Sequence, residues 1–201
     1  MHFPFEIRGF RIFREYLSAS AQKAMVSETR SIALEAPLFS PTTPSGKKMS
    51  VRMTSAGKYG WYSDRKGYRY ERIHPNGRPW PMIPESVLEI WREISGMERM
   101  PDCCLVNHYG EKARMGMHQD SDEADFKWPV LSISLGDDAL FRIGNRTRGG
   151  STESIWLNSG DVVLMGGSAR LHFHGVDRIR PGSSTLLSGG GRINLTCRVV
   201  D

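Results

Sequence analysis

Short segments in which apolar and polar residues alternate fill the second half of the chain. This pattern predicts β-strands at residues 105–109, 117–120, 130–135, 139–143, 154–157, 162–165, 171–175 and 192–199. Turns rich in glycine separate the segments. Many short strands at even spacing are typical of a two-sheet jelly roll such as that of the cupins, so this architecture is predicted here.

A helical period appears in two places before these strands. Residues 18–34 and 84–96 each place their apolar side chains on one stripe, and Gly96 is a plausible stop for the second. The stripes consist of Leu17, Ala21, Ala24, Met25 and Ile32 in the first helix and of Val87, Ile90, Trp91 and Ile94 in the second. Residues 3–13 are expected to form a leading strand or an extended arm. The predicted fold class is α+β, a double-stranded β-helix with flanking helices.

Composition favours one compact unit. The 201 residues, 39% of them hydrophobic, suffice for one core, so residues 1–201 are expected to form a single domain. A net charge of +5 favours a polyanionic partner. The three cysteines form neither a disulfide framework nor a C-x-x-C pair, and no segment has the pattern of a signal peptide or a membrane span. We expect a cytoplasmic protein that acts as a monomer and does not bind membranes.

Residues 47–84 combine positive charge with aromatic rings. The basic residues are Lys47, Lys48, Arg52, Lys58, Arg65, Lys66, Arg69, Arg72 and Arg78, and the aromatic ones are Tyr59, Trp61, Tyr62, Tyr68, Tyr70 and Trp80. Basic groups can neutralise phosphates while rings stack on bases, at about 1–3 kcal/mol per stack. The same composition is typical of hairpins whose aromatic residues cover a sheet edge. The pattern by itself leaves both interpretations open.

The stretch Met117–Asp120 carries the strongest candidate for a metal site. Because side chains two apart on a strand point to one face, His118 and Asp120 can bind the same ion. A lone H-x-D pair is more often a surface hydrogen bond, so further ligands are needed. An imidazole from His172 or His174 would complete the two-histidine, one-carboxylate face that binds non-haem Fe(II) and leaves positions open. These two histidines share a predicted strand face, and alternation does not choose between them.

The remaining histidines fit the metal site less well. Alternation puts His108 on the opposite face of its strand from Asn107 and Tyr109, so its ring is expected to point away. His2 and His74 are expected to be exposed.

The last predicted strand has one cationic face. Arg192, Asn194, Thr196 and Arg198 alternate there with Ile193, Leu195 and Cys197. An unpaired guanidinium inside a barrel costs several kcal/mol, so a carboxylate ligand bound bidentately is a natural partner. The alternative is an exposed edge on which both arginines pair with acidic residues of the protein.

Taken together, His118-Gln119-Asp120, His174 and the run Arg192-x-Asn194-x-Thr196-x-Arg198 resemble the signature of the AlkB alkylation-repair dioxygenases. The resemblance extends from about Lys48 to Arg198. It implies Fe(II) held by His118, Asp120 and His174, with 2-oxoglutarate and O2 as co-substrates. It further implies that Arg192 binds the far carboxylate of 2-oxoglutarate, that Arg198 lies near the metal end, and that Asn107, Tyr109 and Asn194 donate or accept hydrogen bonds there.

The same resemblance assigns the substrate side. It implies a nucleotide-recognition lid at residues 47–84 and a jelly-roll catalytic core at residues 101–201. The base-binding residues would be Met53, Trp61, Tyr68, Asp122 and Arg148. Met165 occupies a position beside the iron where relatives can carry tryptophan.

The implied function is oxidative demethylation of N-alkylated bases in DNA, with release of formaldehyde, succinate and CO2, and the sequence leaves open whether RNA is a substrate as well. Two alternatives stay open: a hydroxylase of the same type acting on RNA or protein, and a jelly-roll module that binds metal and nucleic acid without turnover.

Overall fold

A computed structural model of the protein describes residues 3–201, and this part of the chain contains thirteen strands and two α-helices. In chain order they are β1 (Phe5–Ile7), β2 (Phe10–Phe13), α1 (Ala19–Glu35), β3 (Arg52–Gly57), β4 (Gly60–Asp64), β5 (Gly67–Glu71), α2 (Glu85–Ser95), β6 (Cys103–Tyr109), β7 (Met115–His118), β8 (Val130–Gly136), β9 (Asp138–Ile143), β10 (Glu153–Leu157), β11 (Val162–Met165), β12 (His174–Arg180) and β13 (Arg192–Arg198). None of the helices described is long and apolar enough to cross a membrane.

Two antiparallel sheets form the body of the molecule. The larger sheet has the strand order β1-β2-β11-β8-β13-β6-β3, and the smaller one has the order β10-β9-β12-β7. Apolar residues from both sheets, such as Ile12 and Val163 from the larger and Ile143 and Ile179 from the smaller, belong to one buried cluster. The fold is a jelly roll, as the strand pattern predicts.

The two helices contribute to a second buried cluster, which includes the other face of the larger sheet. Ile193, Leu195 and Cys197 of β13 belong to it together with Trp91 of α2 and Met25 of α1. Since side chains alternate along a strand, the polar face of β13 points into the space between the sheets. The helices therefore stabilise the sheet from outside and leave its inner face to form a site.

Both predicted helices are confirmed with shifts of one residue at their ends. Helix α1 begins after Ser18, whose side chain accepts a hydrogen bond from the amide of Ala21. Helix α2 ends at Ser95 and is capped by Gly96, which takes the left-handed conformation with φ of 65°. The buried face of α2 is the predicted one, Val87, Ile90, Trp91 and Ile94.

Two strand predictions are wrong, and a third, at residues 117–120, is wrong at its end because the strand stops at His118. Residues 3–13 do not form one strand or arm: β1 and β2 make a hairpin through Arg8 and Gly9, both with positive φ, and β2 pairs with β11 inside the larger sheet. Residues 171–173 are not in a strand, because a 3₁₀ turn at Gly167–Ala169 continues into a turn in which the amide of His172 bonds to the carbonyl of Ala169. Strand β12 begins only at His174.

The basic and aromatic segment, residues 47–84, is divided between two structures. Strand β3 lies at the edge of the larger sheet, whereas β4 and β5 form a separate two-stranded hairpin. The indole of Trp80 packs so closely under β4 that a Cβ at Gly60 would lie 2.2 Å from its ring. Because β4 and β5 pair only with each other, this hairpin is the part of the segment that lies outside the two large sheets.

Candidate active site

The three predicted metal ligands converge where β7 meets β12. His118 is the last residue of β7 and His174 the first of β12, and the two are direct partners in the antiparallel register. Asp120 lies just beyond the end of β7 rather than on the strand as predicted, and its carboxylate turns back between the two rings. One nitrogen or oxygen atom from each residue lies within 4.8 Å of the others, which is a spacing that one metal ion can bridge.

Hydrogen bonds orient both imidazoles for binding through Nε2. The Nδ1 atom of His118 lies 2.9 Å from the carbonyl of Gly116, and that of His174 lies 3.0 Å from the carbonyl of His172. Because a carbonyl oxygen only accepts, each Nδ1 carries the proton and each Nε2 keeps its lone pair. These Nε2 atoms lie 3.7 and 3.8 Å from the carboxylate oxygens of Asp120.

Burial and charge keep two of these groups in the form that binds metal. Burial, and then the proximity of His118, lower the pKa of His174 to about 4, so its ring is neutral at physiological pH. Burial opposes ionisation of Asp120, but the charge of Arg198, and in acid also the protonated rings of His174 and His118, outweigh it and lower the pKa of this carboxyl. A neutral imidazole and a carboxylate are the required ligand forms.

The other histidines lie elsewhere. His172 is in the turn before β12 with Nδ1 3.1 Å from the carbonyl of Gly144, so it does not share a strand face with His174. His108 is on β6 with its side chain away from the metal ligands, as alternation predicts. His74 is buried rather than exposed, because its Nε2 contacts the carbonyl of Pro37 at 3.0 Å and its ring packs against Trp80. His2 lies outside the described residues.

The metal ligands open into a cavity of about 530 Å³ between the sheets. The polar face of β13 and the neighbouring face of β6 form one wall, since Arg192 pairs with Tyr109 and Asn194 with Asn107 across the two strands. The cavity is lined by every residue that the sequence predicts for the site: His118, Asp120, His174, Asn107, Tyr109, Arg192, Asn194, Arg198, Met53, Trp61, Tyr68, Asp122 and Arg148.

Arg192 has the properties of a receptor for a carboxylate ligand. It is 1% exposed, and burial lowers its pKa to about 10, which still leaves it charged at neutral pH. Its Nη2 donates to Ser134 at 2.8 Å, whereas Nε and Nη1 have no hydrogen-bond partner in residues 3–201. A buried cation with two unused donors is costly unless an anion occupies the cavity, so this site fits a bound carboxylate.

Arg198 has a different environment from Arg192. Its Nη2 donates to Asp120 at 2.9 Å, and its Nε faces Glu123 at 3.2 Å. It therefore lies beside the metal ligands and differs from Arg192 in having two carboxylates of the protein as ion-pair partners, although its Nε and Nη1 make no hydrogen bond in residues 3–201. Asn194 is also held by the protein, because its amide donates to Ser132 and to the carbonyl of Ile133.

Comparison with known proteins agrees with this geometry. The sequence profile of the 2OG-Fe(II) oxygenase superfamily matches residues 9–198. An alpha-ketoglutarate-dependent dioxygenase AlkB homolog from Caulobacter vibrioides is 54% identical over 96% of this chain and 88% of its own. This chain belongs to the AlkB family of 2OG-Fe(II) oxygenases. As a member, it is a dioxygenase that uses Fe(II), 2-oxoglutarate and O2.

Two further relatives extend the comparison within the AlkB family. The DNA N(6)-methyladenine demethylase ALKBH1C of Arabidopsis thaliana is 32% identical over 94% of this chain and 48% of its own length. The solved structure of OsALKBH1 superposes with a TM-score of 0.81 at 29% identity, and the match covers 96% of this chain and 99% of that one. The jelly roll of this chain is thus the fold of OsALKBH1.

On the substrate side of this AlkB-family site, hairpin β4–β5 places two rings at the cavity. Trp61 and Tyr68 lie on paired strands with ring centroids 5.5 Å apart and an angle of 22° between planes. The indole nitrogen of Trp61 donates to Asp122 at 2.9 Å. Tyr68 is 50% exposed, so this stack lies at the mouth of the cavity and not in the core.

The remaining substrate-side residues lie at different depths. Met53 is buried on β3, directly opposite Asn107 in the register. Arg148 is exposed on the loop between β9 and β10, with its guanidinium 4.9 Å from the ring centroid of Phe173. Met165 is buried at the cavity wall, where its flexible thioether takes less room than an indole.

The sequence did not reveal a second set of residues that holds the metal ligands in place. Gln119 donates to the carbonyls of Arg146 and Leu171, which fixes two loops around the metal ligands. Glu123 and Arg170 form a buried ion pair at 2.9 Å behind Asp120. The partners in these contacts are 27 or more residues apart in sequence, so no local pattern indicates them. The only signal is an acidic residue three positions beyond Asp120.

Proposed function

We propose that this dioxygenase removes alkyl groups from the nitrogen atoms of DNA bases, and of RNA bases as a second substrate. One observation carries the proposal: metal ligands, an unpaired buried arginine and a pair of stacked aromatic rings face the same cavity. The first two features fit Fe(II) and a 2-oxo acid, and the third fits a planar base. The demethylase activity named for the Arabidopsis relative supports the same substrate class.

His118, Asp120 and His174 would hold the iron, and Arg192 would hold the far carboxylate of 2-oxoglutarate. With these bound, Fe(II) and O2 supply an oxidation that hydroxylates the alkyl carbon, so that 2-oxoglutarate becomes succinate and CO2 and the alkyl carbon leaves as formaldehyde. Asn107 and Tyr109 lie within the same wall as Arg192 and would orient the co-substrate.

Arg198 orients the metal carboxylate instead of competing for the co-substrate. Its bond to Asp120 leaves the other oxygen, Oδ2, buried and without a hydrogen-bond partner in residues 3–201. A buried carboxylate oxygen with no donor is costly, and a metal ion would satisfy it. Together with the two Nε2 atoms, this oxygen would present three ligand atoms to one side of the ion.

The base would enter from the side of hairpin β4–β5. It must leave its helical stack to reach the metal, and stacking on Trp61 would offset part of that cost. Asp122 already accepts a hydrogen bond from Trp61 and lies two residues from Asp120, so it is in place to contact an exocyclic amine. Arg148 on the opposite loop would face the incoming strand.

We further propose that the protein acts as a monomer in the cytoplasm. All three cysteines are buried free thiols, which is compatible with a reducing compartment.

The decisive assay is succinate formation from 2-oxoglutarate with added Fe(II) and an oligonucleotide. A methylated oligonucleotide should raise the rate well above that with the unmethylated one, and Asp120→Asn should remove the reaction. Tight binding of the methylated oligonucleotide without succinate formation would favour a non-catalytic binding module, and equal rates with both oligonucleotides would exclude the alkylated base as the substrate.

A further inference from the structure

A buried ion network lies behind the metal ligands and outside their coordination face. Arg170 donates through Nε to the carbonyl of Trp128 at 2.8 Å, through Nη1 to the carbonyl of Asp120, and through Nη2 to Glu123 at 2.9 Å. Arg198 contacts the Asp120 and Glu123 carboxylates. Two arginines thus hold Asp120, one by its main chain and one by its side chain, and both arginines share Glu123.

Glu123 is the common acceptor of this network. Its side chain is 1% exposed, and that of Arg170 is 3% exposed, so the charges are removed from water. Desolvating such ions costs several kcal/mol each, and only the attraction between the opposite charges of the network offsets that cost. Removing the negative charge of Glu123 would leave two buried cations directed at Asp120 alone, which would pull that carboxylate away from a bound metal.

The hairpin β4–β5 reaches into this network through Tyr70. The hydroxyl of Tyr70 donates to Oε1 of Glu123, the same oxygen that faces Arg198. Burial raises the pKa of Tyr70 well above its ordinary value, so the hydroxyl keeps its proton and acts as the donor. Strand β5 therefore contacts the network with one side chain, Tyr70, and the cavity mouth with another, Tyr68.

Both hydrogen bonds between the hairpin and the metal region end on one short segment. Trp61 donates to Asp122 and Tyr70 to Glu123, and these acceptors follow Asp120 within three residues. The other hydrogen bonds of the hairpin, such as that from Ser63 to the carbonyl of Thr42, lie at its far side. A change in the position of Asp120 would therefore be transmitted to both strands of the hairpin, β4 and β5.

We propose that Glu123 is a positioning residue for the metal carboxylate and that the Tyr70–Glu123 hydrogen bond couples hairpin β4–β5 to the metal site. Metal binding draws Asp120 into one orientation, Arg198 and Glu123 follow, and Tyr70 then fixes the hairpin. The inference rests on the proposed metal ligands but needs no nucleic acid and no turnover.

The first test measures the affinity for Mn(II) without O2 by direct titration. Glu123→Gln keeps the size of the side chain and removes its charge, and the dissociation constant for Mn(II) should rise about tenfold or more, as when an outer partner of a metal ligand is lost. Tyr16→Phe is the matched control, because it removes another tyrosine–glutamate hydrogen bond, that with Glu93, away from the site. An unchanged constant in Glu123→Gln overturns the positioning role.

The second test follows amide hydrogen exchange in residues 60–71 with and without Mn(II) and 2-oxoglutarate. In the wild type and in Tyr16→Phe, ligands should slow exchange of the hairpin about fivefold or more, the lower range of a typical coupling. In Tyr70→Phe, which keeps both arginine contacts to Asp120, this protection should be lost.

Equal protection in wild type and Tyr70→Phe, or no protection in either, overturns the coupling. Failure of the metal assignment has a separate signature: Mn(II) affinity would then be the same in Asp120→Asn as in the wild type. If Glu123→Gln does not fold, Tyr70→Phe decides the coupling on its own, since it removes one hydroxyl and no charge.

Discussion

The metal and co-substrate half of the cavity differs from the base-binding half in how its side chains are held. Arg192 on β13 of the larger sheet is 1% exposed, and His174 on β12 of the smaller sheet is 6% exposed. Tyr68 on the separate hairpin is 50% exposed. Sheet registers and buried charges fix the first half. Stacked rings and two hydrogen bonds to residues 122 and 123 fix the second. Chemistry that needs exact positions is placed against the buried strands of the two large sheets, and recognition of a large polymer is placed where the surface can adapt.

Removing a metal ligand should have the largest effect. His118→Ala, Asp120→Asn and His174→Ala should each abolish turnover and sharply weaken binding of Fe(II), because each leaves only two protein ligands. His172→Ala is the control, since its ring lies in the turn before β12 and outside the cavity. Metal titration and succinate formation report both effects. Full activity in His174→Ala with loss in His172→Ala would contradict the ligand assignment.

Substitution of Arg192 should have the next largest effect on activity and should leave the protein folded. Its guanidinium has unused donors and no carboxylate partner in residues 3–201, so Arg192→Ala removes a charge that the protein does not compensate. The KM for 2-oxoglutarate should rise about 10- to 150-fold, the worth of hydrogen bonds to a charged group at about 1.5–3 kcal/mol. Steady-state kinetics and a melting curve measure the two quantities.

Arg178→Ala is the control for this substitution, because Arg178 is exposed on β12. Arg198→Ala should behave differently from Arg192→Ala, since it leaves Asp120 and Glu123 with one buried cation fewer and should lower the melting temperature. If Arg192→Ala unfolds the protein as well, the arginine is structural and the carboxylate argument fails.

Substitutions on the hairpin should affect substrate capture and leave the metal half intact. Trp61→Ala and Tyr68→Ala should each weaken binding of a methylated oligonucleotide by about 1–3 kcal/mol, the worth of one base stack. Turnover of 2-oxoglutarate without nucleic acid should change little. Tyr62→Ala is the control, because Tyr62 on β4 packs against Phe39 and does not line the cavity. A lower melting temperature with unchanged affinity would mean that the rings only cover the sheet.

The smallest effect should come from exposed charges of the segment. Lys48 and Arg52 have no carboxylate within ion-pair distance among the described residues, so Lys48→Ala and Arg52→Ala should each lower the salt dependence of oligonucleotide binding by about one unit of slope. The sequence groups Arg69 with these basic residues, but in the structure its guanidinium already pairs with Asp64 and Glu71. Arg69→Ala should leave the slope unchanged. Binding measured at several salt concentrations distinguishes the three variants.

Local patterns predicted much of this structure because they report which face of an element is buried. The apolar residues of α2 recur with the period of a helix and those of β13 with the period of a strand, so the sequence alone predicted which face of each element is buried. The turn at residues 171–173 was missed because it carries the same alternation as a strand. His74 was predicted as exposed because its burial depends on Trp80 and Pro37, which the chain brings together only after folding.

Contacts that join distant parts of the chain could not be predicted from the sequence. Glu123 meets Arg170, Arg198 and Tyr70 from three different elements, and in the sequence it is one acidic residue in a polar turn. The choice between His172 and His174 depended likewise on where β12 begins, which is a property of the pairing with β7 and β9. Such features depend on how the strands pair and not on the spacing of apolar residues along the sequence.

The most direct test of the function is the mass of a methylated oligonucleotide after incubation with the protein, Fe(II), 2-oxoglutarate and O2. We expect the oligonucleotide to lose the mass of one methylene per methylated base, with formaldehyde and succinate formed alongside, and to stay unchanged with Asp120→Asn. An oligonucleotide that keeps its methyl group while the protein binds it and consumes 2-oxoglutarate would contradict oxidative demethylation as the activity of this enzyme.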